Sequence, residues 1–294
     1  MKNRIFISFL LLAFLPTFFF AQNTNSPDST GFPGDHFSLE GAVELFKQST
    51  SPEDFEKRLN TEDNYVNNLD LNEDGETDYL RVIDNMEGDV HAIVLQVPLD
   101  ESEAQDIAVI EIEKTGPESA ILQIVGDETV FGENRIVEPF EVAGKGGTGG
   151  PSAEMELVKV VVNVWGWSAV RFVYRPGYVA YVSPWRWRHY PRWWKPWRPR
   201  PLRVFNPLSV RYHRNYRVVT THRVARAHQV YKPKRRTSTV VVRRTTVRRS
   251  AAAGPAVGRK TTTRKTTVVG KKGNKRVVGK KTTRTTRVKR RKKN

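Results

Sequence analysis

Four short stretches decide the fold: Tyr79-Leu-Arg-Val-Ile83, Val90-His-Ala-Ile-Val-Leu-Gln-Val97, Ile107-Ala-Val-Ile-Glu-Ile112 and Ala120-Ile-Leu-Gln-Ile-Val125. Apolar and polar residues alternate along them, the period of a strand with one face buried. Turn-rich segments at Glu87-Gly88-Asp89, Pro98–Glu103 and Thr115–Glu118 separate them. Connections this short join antiparallel neighbours, so the spacing predicts a four-stranded meander. Upstream the period lengthens to that of a helix. Ser38 stands where an N-cap belongs, before Leu39, Ala42, Val43 and Phe46. Ser51 opens a second helix, with Pro52 in first position, Asp54 at capping-box spacing, and Phe55 and Leu59 on the apolar side. The expected class is α+β: two short helices packed on the meander, in an acidic domain over residues 38–143.

Charge divides the chain more sharply than hydropathy does. All 31 Asp and Glu residues lie between Asp28 and Glu156, while 40 of the 49 Lys and Arg residues lie beyond Glu156, where no acid occurs. The boundary falls in a Gly-rich linker at 144–156. Residues 157–202 form a Trp/Arg/Pro-rich β segment and 203–294 a basic tail. Thr, Val, Lys, Arg and Gly in loose repeats bury too little apolar surface to offset ordering entropy, so the tail is expected to be largely disordered. It suits polyanions, which it would bind by counterion release without a sequence code.

The first 22 residues have the pattern of a secretory signal peptide. Lys2 and Arg4 precede an apolar run from Ile5 to Phe20, and Ala21-Gln22 offers a cleavage point. Residues 23–37 are polar and punctuated by Gly and Pro, a linker. The expected location is outside the cytoplasm, in the periplasm or cell envelope; the bare cationic end, with no folded sorting domain, favours the periplasm. The chain has no Cys, so core burial alone must hold it together.

Between the helices and the first strand runs Asp70-Leu-Asn72-Glu-Asp74-Gly75-Glu76-Thr-Asp78. Calcium takes several hard oxygen ligands round a tight turn. Asp70, Asn72, Asp74 and Asp78 supply side-chain oxygens, Glu76 a carbonyl, and Gly75 the bend. The nine residues resemble the calcium loop of EF-hands and dockerins, though Arg81 stands where an EF-hand carries its bidentate Glu. Ca2+ is therefore the expected ion, with an ion-free Asx turn as the competing reading.

In the second half, Val158–Trp165 reads as a strand. Val170–Tyr174 and Tyr178–Val182 read as a hairpin about Arg175-Pro176-Gly177. Ser183–Pro201 then holds five Trp, six Arg or Lys and five Pro, which excludes a regular helix or central strand. It resembles Trp/Arg-rich antimicrobial peptides of the indolicidin type. Trp185, Arg186, Trp187, Arg188, Arg192, Trp193, Trp194, Lys195, Trp197 and Arg198 are the candidate membrane- or polyanion-binding residues, since indoles favour the headgroup level and guanidinium pairs with phosphate. The alternative is that the indoles pack internally as core. His213, His222 and His228 lack metal-ligand spacing and are expected to be solvated; His91 is expected to face solvent or a hydrogen-bond partner.

No nucleophile elbow, phosphate-cradling loop or zinc motif occurs, and the acids look like a solvated strand face, so no enzyme is expected. The Leu39–Phe46 helix, the Asp70–Asp78 loop running into Tyr79-Leu-Arg-Val-Ile-Asp84, and the Trp-Arg-Trp and Pro-Arg-Trp-Trp-Lys-Pro-Trp-Arg-Pro stretches together resemble a family of uncharacterised exported proteins of Bacteroidota, over about residues 37–232. That resemblance implies export and architecture and supplies no catalytic residues. The expected function is a cell-envelope binding protein whose cationic half holds an anionic polymer: lipopolysaccharide, membrane phosphate or extracellular nucleic acid. Self-assembly through pairing of acidic domain and basic tail is the alternative.

Overall fold

A computed structural model describes residues 29–144, 157–252, 257–269 and 275–287. The expected signal peptide, the start of the first linker and almost all of the Gly-rich linker lie outside the described residues. Both expected helices form with their expected caps. Helix α1 spans Leu39–Gln48, and Ser38 Oγ accepts from the Gly41 amide at 2.9 Å. Helix α2 spans Pro52–Leu59, and Ser51 Oγ accepts from the Asp54 amide at 3.1 Å. Phe46 and Phe55 lock the pair edge to face, 5.2 Å apart. The described end of the expected linker belongs to the fold: Phe37 is buried and bridges the backbone at Asn67.

Four strands lie where alternation places them: β1 (Arg81–Glu87), β2 (Val90–Pro98), β3 (Ala104–Gly116) and β4 (Ser119–Gly126). They pair antiparallel in sequence order. The sheet does not stop at four. After a one-turn helix, α3 (Glu128–Phe131), strand β5 (Arg135–Gly144) adds to β4 through Arg135–Val137 and, further on, to β6 (Leu157–Val161). β5 contains Pro139 and two Glu, a composition that does not read as a sheet interior.

The expected hairpin at 170–182 is corrected. Its first arm is a helix, α4 (Ser168–Val173), because Ala169, Val170 and Val173 are buried on one helical side. The turn itself is as read: the Tyr178 amide donates to Arg175 O at 3.2 Å, with Gly177 at φ +75. The second arm lies against β1, where Asp84 N–H donates to Tyr181 O at 2.7 Å and Ser183 N–H to Val82 O at 3.0 Å.

The larger correction concerns residues 202–247, which fold onto the acidic half instead of trailing as a disordered tail. They form α5 (Leu202–Ser209), β7 (Tyr216–Val219), α6 (Ala225–Tyr231) and the first part of α7 (Thr239–Ala252). β7 pairs antiparallel with β5, from Ile136 opposite Val219 to Pro139 opposite Tyr216, and makes the sheet seven-stranded. Beyond it, β8 (Val257–Val269) and β9 (Lys275–Arg287) pair as a separate two-stranded sheet.

Both faces of the main sheet are thereby covered. Ile93, Leu95, Ile110, Ile112, Leu122, Ile124 and Val137 point to α1, α2 and α4 in the principal core. The opposite face carries Ala92, Val94, Val109, Val125 and Ile136, packed against Tyr231 of α6. That second face also carries Glu111, Glu113, Gln123 and Glu138, all buried.

Candidate functional site

Buried carboxylates are costly unless paired or hydrogen-bonded, and the basic half supplies the partners. Glu138, wholly buried, accepts from Arg217 at 2.7 Å, Arg223 at 3.2 Å and Gln123 at 2.8 Å. Glu113 accepts from the backbone amides of Arg226 (2.7 Å) and Ala227 (3.2 Å). Asp106 accepts from Gln96 (2.6 Å), Tyr231 OH (3.1 Å) and the Arg236 amide (2.8 Å); burial still pushes its carboxyl up to about 6. Asp127 receives Arg235 Nε at 2.5 Å. The acids read as a solvated face are instead the docking face for residues 216–239. Alternation could not reveal this, because the covering segment lies about 100 residues downstream.

The histidines follow the same rule. His222 Nε2 lies 2.5 Å from Glu111 Oε2 and His228 Nδ1 2.7 Å from Glu111 Oε1, so neither is merely solvated. That bond to Glu111 raises the His222 pKa. His91 is buried, with Nδ1 2.8 Å from Asp84 Oδ2, which also accepts from Tyr178 OH at 2.9 Å.

The Trp/Arg/Pro stretch is a loop tied down at both ends. At its start, the Ser183 hydroxyl donates to Glu56 at 3.0 Å; Glu56 also accepts from Tyr79 OH (2.8 Å) and the Val82 amide (2.7 Å). At its end, the Arg200 amide donates to Asn68 at 2.7 Å and its guanidinium to Glu62 at 2.7 Å. Between the ties the indoles divide. Trp194, 9 % exposed, packs edge-on against Tyr79 and Tyr190. Trp193 is 47 % exposed, with Lys57 Nζ 5.9 Å from its ring centre. Trp185, Trp187 and Trp197 are half-buried. Neither expectation for the indoles holds for the whole segment.

The cations between the ties do not divide. Arg186, Arg188, Arg192, Lys195 and Arg198 are all exposed. Among the described residues, the ion pairs of the basic half involve Arg200, Arg217, Arg223, Arg235, Arg244 and three histidines, and none of these five. Arg188 instead lies 4.2 Å over the Trp187 ring. An open cleft of about 420 Å³ runs between this loop and the β2–β3 turn, with Arg186, Trp187 and Arg188 on one wall and Asp100, Glu101 and Glu103 on the other.

The Asp70–Asp78 loop closes as its sequence suggests. Gly75 takes φ +86, Asp70 accepts from the amides of Asp74 (3.1 Å) and Gly75 (3.0 Å), and Asp74 accepts from the Glu76 amide (2.9 Å). Asp78 accepts from the Leu71 amide at 2.5 Å; burial first, then the charges of Asp70 and Asp74, push its carboxyl up to about 7. Asp70, Asp74 and Asp78 are the carboxyls of this loop that could hold a divalent cation. Arg244 of α7 donates to the carbonyls of Leu71 and Asn72 on the loop's flank, a contact unforeseen in the sequence.

Comparison with protein families, with curated proteins and with solved structures gives no match.

Proposed function

We propose that the chain is a non-enzymatic binding protein of the cell envelope, exported by its N-terminal segment, that presents the Trp/Arg loop at 185–198 to anionic polymer or membrane phosphate. One observation carries the reading: within this loop five cations are exposed, without an ion pair among the described residues, beside half-buried indoles, whereas Arg217, Arg223 and Arg235 of the docked segment pair with buried carboxylates. Clustered guanidinium groups with interfacial aromatics suit phosphate-bearing surfaces. The basic residues beyond Val247 would add affinity without selectivity. The Asp70–Asp78 loop is read as a calcium loop with a structural role, its donors being Asp70, Asn72, Asp74, Asp78 and the Glu76 carbonyl. Self-assembly by acid–base pairing is the weaker reading, because the buried acids find their basic partners within one chain.

The test is Trp emission of the full chain on titration with lipopolysaccharide and with anionic or neutral phospholipid vesicles. Emission is expected to be partly blue-shifted already, from Trp194, and to shift further with the anionic partners only. Replacing Arg186, Arg188, Arg192, Lys195 and Arg198 together by Ser should remove the second shift. A shift that survives the substitution, or no shift at all, overturns the reading.

A further inference from the structure

The cluster of Glu111, His222 and His228 is unlike the other pairings of the two halves. Between the halves, Glu138 and Asp127 meet guanidinium groups, whose charge is permanent, and Glu113 meets backbone amides. Glu111 has no Arg or Lys partner among the described residues; its two oxygens face one imidazole each. Its side chain is fully buried on the second face of β3, while the rings are only partly exposed, at 26 % and 31 %. The rings lie edge to face, 4.8 Å apart, His222 just before α6 and His228 within it. One atom from each residue lies within 4.8 Å of the other two.

The geometry points to a binding site for a borderline divalent cation of the zinc class, held by Glu111, His222 and His228, that clips α6 to β3. Two imidazole nitrogens and one carboxylate oxygen are a zinc donor set. An ion bound at ~2.0–2.2 Å to each donor sets them about 3–3.6 Å apart, so the contacts of 2.5 and 2.7 Å to Glu111 would lengthen and the widest separation, within 4.8 Å, would close, and the partly exposed rings are the part free to move. Exposure on the ring side leaves a coordination position open to water. The ion would supply the buried carboxylate with the charge that neutral imidazoles do not. Glu113, two residues along the same strand face, adds negative charge nearby. The spacing His222-x5-His228 gives no sequence signal, and the third donor lies 111 residues away from the first. The site is independent of the polyanion reading and of the calcium loop.

The experiment uses the untagged full chain, stripped with chelator, at pH 7.5 with millimolar calcium present to occupy the Asp70–Asp78 loop. Zinc titrated calorimetrically should bind one per chain and raise the melting temperature. Cobalt should give the intense visible bands of four- or five-coordination, a readout on the unaltered protein that no misfolded variant can confuse. His222→Ala with His228→Ala should weaken zinc by more than the roughly 10–100-fold that outer-shell partners are worth, whereas His213→Ala should leave it unchanged. Absence of stoichiometric zinc, a faint octahedral cobalt spectrum, or unchanged affinity in a folded double variant overturns the proposal. In the first case the pairing would be a histidinium–carboxylate contact alone.

Discussion

Glu138 shows how a single residue ties the halves together. Its carboxylate is buried with two guanidinium groups and one amide upon it. Glu138→Ala would leave Arg217 and Arg223 facing an empty, partly desolvated pocket, and by the usual cost of breaking a buried pair should destabilise the fold by about 3–5 kcal/mol in denaturant titration. A destabilisation below about 1 kcal/mol would mean that the face is wetter than described. Asp106 carries a pH dependence of stated sign. Burial raises its carboxyl to about 6, so the folded state holds a proton that the unfolded chain releases near ~3.9. Its contribution to stability is complete below about pH 4 and fades as pH rises through about 6. The Asp106 carboxyl carbon should titrate near 6 by NMR, and a midpoint near ~4 would contradict its placement under Tyr231. In the calcium loop, Asp74→Ala should abolish any calcium-dependent rise in melting temperature; with affinities of about 0.1–1 mM for extracellular modules, the titration must reach several millimolar.

At the scale of elements, the docked segment should behave as part of the domain. Amides of β7 and α6 should exchange with solvent as slowly as those of β3, since β7 is hydrogen-bonded into the sheet. Exchange of 216–231 within seconds would show an undocked strap. Much of this architecture is legible in the sequence where local signals suffice. Ser38 and Ser51 announce their helices by cap chemistry, and β1 to β4 announce themselves by period. The features that sequence reasoning missed have one physical origin. Alternation reports that one face of a strand is polar, not what covers it, so Glu111, Glu113 and Glu138 read as solvated while in fact lying beneath a segment that itself reads as too basic to fold. Charge self-repulsion argues for disorder only when no counter-surface exists, and here the counter-surface is the protein's own sheet. β5 is hidden by Pro139, and α4 by β-branched residues that are equally at home in a strand. Of the candidate residues, the Asp70–Asp78 turn and the Trp/Arg loop are visible in composition and spacing; the Glu111–His222–His228 cluster, assembled from distant segments, is not.

At the scale of the whole molecule, the formal charge of +18 misrepresents what a partner would meet. The folded body pairs part of its charge internally, through Arg217, Arg223 and Arg235, and sets five exposed cations beside indoles at 185–198, with further basic residues beyond Val247. Binding to a polyanion should therefore have two separable parts, one from the patch and one from the tail. The measurement that tests the central claim most directly is the salt dependence of binding to duplex DNA by a chain ending at Ala252, so that the residues beyond add nothing. Every phosphate that a cation neutralises adds about 0.9 to the steepness of log K against log salt. Replacing Arg186, Arg188, Arg192, Lys195 and Arg198 by Ser should thus make the slope shallower by about 3–4, whatever the base sequence. A slope unchanged by the five substitutions would contradict the account, because binding would then reside in basic residues outside the loop.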